Sequence, residues 1–205
     1  SMVTVSVDYR RSPESPFPAG LTDTYQVLSQ LPELLEGEAT TGRVHAVADS
    51  GGAAKLASIA MRTAAGEWTS PIERQVLIYP SLDYTLSSDS IQKFGNGYFL
   101  EAERIEWYFD NYFANHEDRR ECSPLFGPIS GQMPQTLVIA AQFDPLIDEA
   151  TKYVSRLQAA GNRAELLIAP GMIHAYLFFE TLVPDEVGRT YRAIGNFLTK
   201  GAADW

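Results

Sequence analysis

A single cysteine, Cys122, stands in the whole sequence. No internal disulfide can form, and nothing in the chain calls for an oxidising compartment. Long apolar runs are missing too: no stretch approaches the roughly 20 apolar residues that cross a bilayer core. The first residues show no basic segment followed by an apolar one, the mark of a secretory leader. Cations are scarce. Sixteen Lys+Arg against 26 Asp+Glu leave a net charge of −10, and the one basic pair, Arg119-Arg120, is flanked by Glu117, Asp118 and Glu121. Nucleic acid and anionic membrane surfaces are poor partners for such a chain, since phosphate affinity rests on clustered cations. There is no P-loop or dinucleotide-type glycine loop. Three scattered histidines and one cysteine offer no metal-ligand spacing. A cytoplasmic protein with no metal or cofactor is expected.

What is present suffices for a core. Of 205 residues, 45% are hydrophobic, with 10 Phe, 10 Tyr and 3 Trp, which argues against disorder and fits one domain over 1–205. Short β-rich runs at 3–7, 43–48, 75–79, 136–141 and 164–169 alternate with helical patterns at 21–35, 52–65, 101–114, 148–160 and 185–200. The runs are mostly apolar, which suits parallel strands covered on both faces. Gly161-Asn162 stops one helix, and the last begins with acids and ends at Lys200-Gly201. The expected architecture is α/β, a mostly parallel sheet flanked by helices with right-handed crossovers. Residues 82–133 break the rhythm. They are rich in aromatics (Phe94, Tyr98, Phe99, Trp107, Tyr108, Phe109 among them) and carry a helix of their own. An insertion of that length between core strands predicts a cap over something.

Ala48-Asp49-Ser50-Gly51-Gly52 lies where a strand pattern meets an Ala-rich helix pattern. A serine at such a turn is held strained, with its hydroxyl exposed beside a helix N-terminus. Small residues at 48 and 52 let the strand and helix backbones approach. The usual form is G-x-S-x-G, and Ala48 is the mildest replacement for its first glycine. The pentapeptide alone would serve equally as a loop that caps the helix.

Later residues move that balance. A nucleophilic serine needs an imidazole base, and the base needs a carboxylate to fix its tautomer. Asp144 follows the run 136–141, and His174 follows the run 164–169, so Ser50, Asp144 and His174 fall at one sheet edge in the order Ser, acid, His. The rivals are weaker: His45 lies inside the strand before Ser50, His116 sits in a charged loop, and Asp148 reads as the N-terminal charge of the next helix. Ser90-Ile-Gln-Lys93 matches an S-x-x-K nucleophile pattern by chance, because no S-D-N or K-T-G accompanies it. The aromatic run could stack on bases, but the basic groove that goes with that is lacking.

At these residues the chain resembles the hormone-sensitive-lipase branch of the α/β-hydrolase esterases. The resemblance rests on Val5-Ser-Val-Asp-Tyr-Arg10 with Pro13-Glu14, on Ala48-Asp-Ser-Gly-Gly52, and on Gln75-Val-Leu-Ile-Tyr-Pro80. It continues through Phe94-Gly-Asn-Gly-Tyr-Phe99, Ser123-Pro124, Phe143-Asp-Pro-Leu146 with Asp148-Glu149, and Pro170-Gly-Met-Ile-His174. It implies an α/β-hydrolase fold and hydrolysis of short- or medium-acyl carboxylic esters through an acyl-enzyme. Ser50 is then nucleophile, His174 base, Asp144 its orienting acid, and the Gly51 N–H an oxyanion donor. In the family an H-G-G-G motif precedes the V-D-Y-R strand, and this sequence opens at that strand. Each missing oxyanion donor costs roughly 10²–10³ in kcat. The expectation is therefore an esterase of weakened activity, with a degenerate hydrolase-fold binding or scaffold protein as the alternative. The strand that leads into H-G-G-G would lie between 3–7 and 43–48. An edge left open there templates pairing: the N-terminal strand moves over to pair with 43–48, a second subunit supplies the strand, or the region stays mobile, and of these a homodimer through the N-terminal strand or the exposed edge is expected.

Overall fold

The computed structural model describes residues 2–203 and 205. Strands β1 (Val44–Asp49), β2 (Ile72–Ile78), β3 (Gln135–Phe143) and β4 (Ala164–Ile173) form one parallel sheet in the order β1-β2-β3-β4. Helices α1 (Ala19–Ser29), α2 (Leu31–Leu34), α3 (Ser50–Ala64), α7 (Ile147–Ala159) and α8 (Pro184–Lys200) flank it. The helix expected over 21–35 is two pieces, because Pro32 stands in the first turn of α2, where its missing N–H costs nothing.

Alternation along the strands assigns the two faces. Leu77, Val138 and Ala140 pack with Leu21 of α1, Ala57 and Ile59 of α3, and Tyr153 and Leu157 of α7. Val76, Ile78, Leu137 and Ile139 point the other way, onto Val187, Ile194 and Phe197 of α8. Both faces are covered, which is why the central strands read as continuous apolar runs. Gly201, at φ +79°, ends α8 in the left-handed region.

The run at 3–7 is not a strand. A β-prone run becomes one only when a neighbour completes its backbone hydrogen bonds, and β1 pairs with β2 alone among the described residues. Val3 and Val5 are left 51% and 40% exposed. Side chains hold the following residues instead: the Arg10 guanidinium meets Asp23 of α1 at 2.7 Å, and the Lys55 ammonium lies 4.1 Å from the Tyr9 ring centroid.

Within 82–133 the structure has three helices rather than one: α4 (Asp89–Phe94), α5 (Ala102–Tyr112) and α6 (Arg119–Cys122). Tyr84, Ile105, Phe109 and Phe113 form their common core with Ala54 of α3 and Leu146 before α7. The start of this segment is tied down by the buried Glu149 of α7, whose Oε2 accepts from the N–H of Leu82 at 2.5 Å and from that of Asp83. Among the described residues no helix is long and apolar enough to cross a membrane.

Candidate active site

A parallel sheet gathers the C-terminal ends of its strands along one edge, and the loops there converge. β1 runs straight into α3, with Ser50 as the first helical residue at φ +47°. That conformation is rare for a non-glycine and characteristic of functional turns. A Cβ on Gly52 would stand 3.4 Å from the Ala48 Cβ, so a methyl there would just touch Ala48 and a larger side chain would crowd it. Around Gly51 the space is open.

Ser50 Oγ lies 3.0 Å from His174 Nε2, and His174 Nδ1 lies 2.8 Å from Asp144 Oδ2. Asp144 is 1% exposed and His174 5%, so the contact between them is shielded from solvent, while the one to Ser50 is half-buried. The second carboxylate oxygen, Asp144 Oδ1, accepts from the Leu146 N–H at 2.9 Å. Beyond His174 the chain turns at Ala175, φ +61°, into a 3₁₀ turn over Tyr176–Phe179. All three residues expected from the sequence thus meet, 124 and 30 positions apart in the chain.

The rivals lie elsewhere. His45 sits near the start of β1, the end away from Ser50, with a buried Nδ1 that has no hydrogen-bond partner among the described residues. Burial, with Arg74 and Arg43 nearby, pushes its pKa down. His116 is at φ +63° in the loop between α5 and α6. Asp148 does not cap its own helix, but accepts from the Ser90 N–H at 3.0 Å. The Ser90 hydroxyl donates a hydrogen bond to the Pro145 carbonyl, while Lys93 lies over the Phe94 ring. Among the described residues no cluster of three or more His, Cys, Asp or Glu could hold a metal ion.

Two neighbours were not singled out by the sequence. Tyr79, at φ +35° just past β2, packs its ring 4.7 Å from the His174 ring, and its O–H donates to Asp49 Oδ2 at 3.5 Å. Burial, reinforced by the Asp49 charge, pushes its phenol pKa far up. Tyr79-Pro80 at a strand exit was the only signal for it. Lys55, one turn into α3, donates to the Gly51 carbonyl at 3.3 Å, and burial brings its pKa down to about 8.

A family model described as alpha/beta hydrolase fold matches residues 1–178. Ethyl acetate hydrolase of Pseudomonas putida is 30% identical over 184 residues, covering 88% of this chain and 58% of its own length. The carboxylic ester hydrolase LipN of Mycobacterium tuberculosis is 34% identical over 182 residues, covering 84% and 48%. The crystal structure of esterase LipW from Mycobacterium marinum superposes with a TM-score of 0.84 at 31% identity, covering 95% of this chain and 62% of that one. The chain therefore spans about half to three fifths of these relatives. Fold, motifs and matches agree: the chain belongs to the alpha/beta hydrolase fold family, in its hormone-sensitive-lipase-like branch.

Proposed function

We propose that the chain carries a carboxylic-ester hydrolase site for short- to medium-acyl esters, working through an acyl-enzyme on Ser50. One observation carries the reading: the line from Ser50 Oγ through His174 to Asp144, at 3.0 and 2.8 Å. With a proton on Nδ1 facing Asp144, Nε2 presents its lone pair to the serine hydroxyl. Ser50 Oγ bonds to the acyl carbon as its proton passes to Nε2, and the oxyanion so formed faces the Gly51 N–H. The imidazolium then protonates the alkoxy oxygen, the C–O bond breaks and the alcohol leaves. Water repeats the cycle: its proton goes to Nε2, its oxygen bonds to the acyl carbon, and the acid departs as Ser50 regains its proton. Asp144 keeps the imidazole in the needed tautomer throughout. The scheme requires no metal or cofactor.

Gly51 follows the nucleophile at the start of α3, where the helix dipole favours negative charge. An oxyanion hole resting on that amide alone would turn over more slowly than one with further donors, by roughly 10²–10³ per donor. In support of a cap over an apolar acyl site, the rings of Phe99 and Phe179 meet at 5.2 Å, joining the insertion to the turn after His174. The name of the Pseudomonas putida relative, an ethyl acetate hydrolase, supports a small ester as substrate.

Hydrolysis of p-nitrophenyl acetate and butyrate by the wild type and by Ser50→Ala tests the proposal. Loss of the nucleophile should lower kcat by roughly 10⁴–10⁶, and equal rates would contradict it. Among the described residues β1 pairs on one side only, and its open edge supports association with a second copy. Light scattering at micromolar concentration checks that, and a single species near 22.7 kDa removes it.

A further inference from the structure

Asp144 begins the turn between β3 and α7, and one short stretch of the insertion grips that turn on both sides of it. Ser90, the second residue of α4, is 3% exposed. Its Oγ donates to the Pro145 carbonyl at 2.6 Å and accepts from the Asp148 N–H at 3.4 Å, while its own N–H donates to Asp148 Oδ2 at 3.0 Å. A hydroxyl can do both at once, being donor and acceptor. On the near side of Asp144, the rings of Phe94 and Tyr98 pack against Phe143, each at 5.8 Å. Lys152 of α7 adds a contact to Ser88, at 3.4 Å.

The grip bears on the carboxylate itself. Asp144 Oδ1 is held by the Leu146 N–H at 2.9 Å, so the backbone of the turn sets where Oδ2 points. A shift of Pro145 carries the Leu146 amide with it and swings Oδ2 relative to His174 Nδ1. Alignment at that level matters, since a 1 Å misplacement in a catalytic constellation can cost on the order of 10²-fold.

We propose that Ser90 is a positioning residue for the acid. Through the Pro145 carbonyl and Asp148 it fixes the direction in which Asp144 faces His174, so the insertion braces the triad as well as covering it. The proposal rests on the reading of Ser50, His174 and Asp144 as the reacting set.

The test follows p-nitrophenyl butyrate hydrolysis across pH for the wild type, Ser90→Ala, Ser90→Thr and Asp144→Asn. Rates are expressed per site titrated with a fluorophosphonate, or per folded chain for a variant that does not label. Ser90→Ala should lower kcat roughly tenfold with KM held within about twofold. It should also move the acidic limb of kcat/KM to lower pH, because a loosened carboxylate stabilises the imidazolium less. Ser90→Thr, which keeps the hydroxyl, should restore both. A serine that merely helped folding would lower thermal stability and the fraction of active sites while leaving kcat per site and the acidic limb in place; that outcome overturns the proposal. Should Ser90→Ala fail to fold, Ser90→Cys, similar in size with a weaker donor, is read by the same criteria. Asp144→Asn separates the levels. Full turnover in that variant defeats the triad itself, whereas its loss beside an unchanged Ser90→Ala defeats only the role of Ser90.

Discussion

Phe143 and Ile173 are register partners across β3 and β4, and the residues that follow them are Asp144 and His174. The register shifts between Ala141, paired with Ala169, and Phe143, and the strand ends beyond that shift set Asp144 and His174 side by side, with Oδ2 and Nδ1 2.8 Å apart. β1 delivers Ser50 from the other side of β2, to the same edge of the sheet. The geometry of the site is a consequence of parallel pairing, in keeping with the rule that open α/β sheets place their chemistry at the carboxyl ends of the strands.

The choice of carboxylate is open to direct comparison. Asp144→Asn should reduce turnover by roughly 10⁴ with the fold intact, because the amide permits the wrong imidazole tautomer. Asp148→Asn should cost far less, since Asp148 meets the Ser90 amide and not the imidazole. Steady-state kinetics with circular dichroism checks both, and the reverse ranking would mean that Asp148 serves His174.

The turn at Ser50 should be intolerant of bulk at one position and indifferent at another. Gly52→Val adds branches where a bare Cβ already comes within 3.4 Å of Ala48, and overpacking of that kind costs about 1–3 kcal/mol. Ala48→Gly, which restores the usual first glycine of the motif, should keep turnover near the wild type. Urea unfolding and p-nitrophenyl acetate hydrolysis read the two effects. A fully stable and active Gly52→Val would show that close approach is not what the turn demands.

Site and fold were legible in the sequence to different depths. Ser50, Asp144 and His174 could be singled out because each stands within five residues after a strand pattern, and strand ends are readable from local composition. The contacts of Tyr79, Ser90 and Glu149 were not legible, though all three stand in quoted motifs, since each depends on a partner brought near by tertiary packing: His174, Pro145 and Leu82 respectively. Residues 3–7 have the composition of a strand and pair with no strand among the described residues. Helices α4 and α6 are six and four residues long, too short to show a helical period.

Lys55 gives a pH signature. Its pKa falls from the ordinary 10.5 to about 8 on burial, so the folded state holds that proton less tightly than the unfolded one. The unfolded chain binds more protons between those two values, and stability from this group rises with pH across that window. Lys55→Met should therefore be more stable than the wild type near pH 7, with a gap that closes from about pH 8 toward pH 10.5. Urea midpoints measured in parallel check this. A gap that stays constant with pH would show that burial does not depress the ammonium.

The central claim is that Ser50 is an activated nucleophile in this chain, and covalent labelling asks that question most directly. The folded wild type, treated with a fluorophosphonate and analysed by intact-mass and peptide mass spectrometry, should gain one adduct, located on Ser50. Ser50→Ala should gain none, and His174→Ala should label far more slowly if the imidazole 3.0 Å from Ser50 Oγ is what takes the serine proton. A folded wild-type protein that stays unlabelled, or that carries its adduct on another residue, would contradict the account.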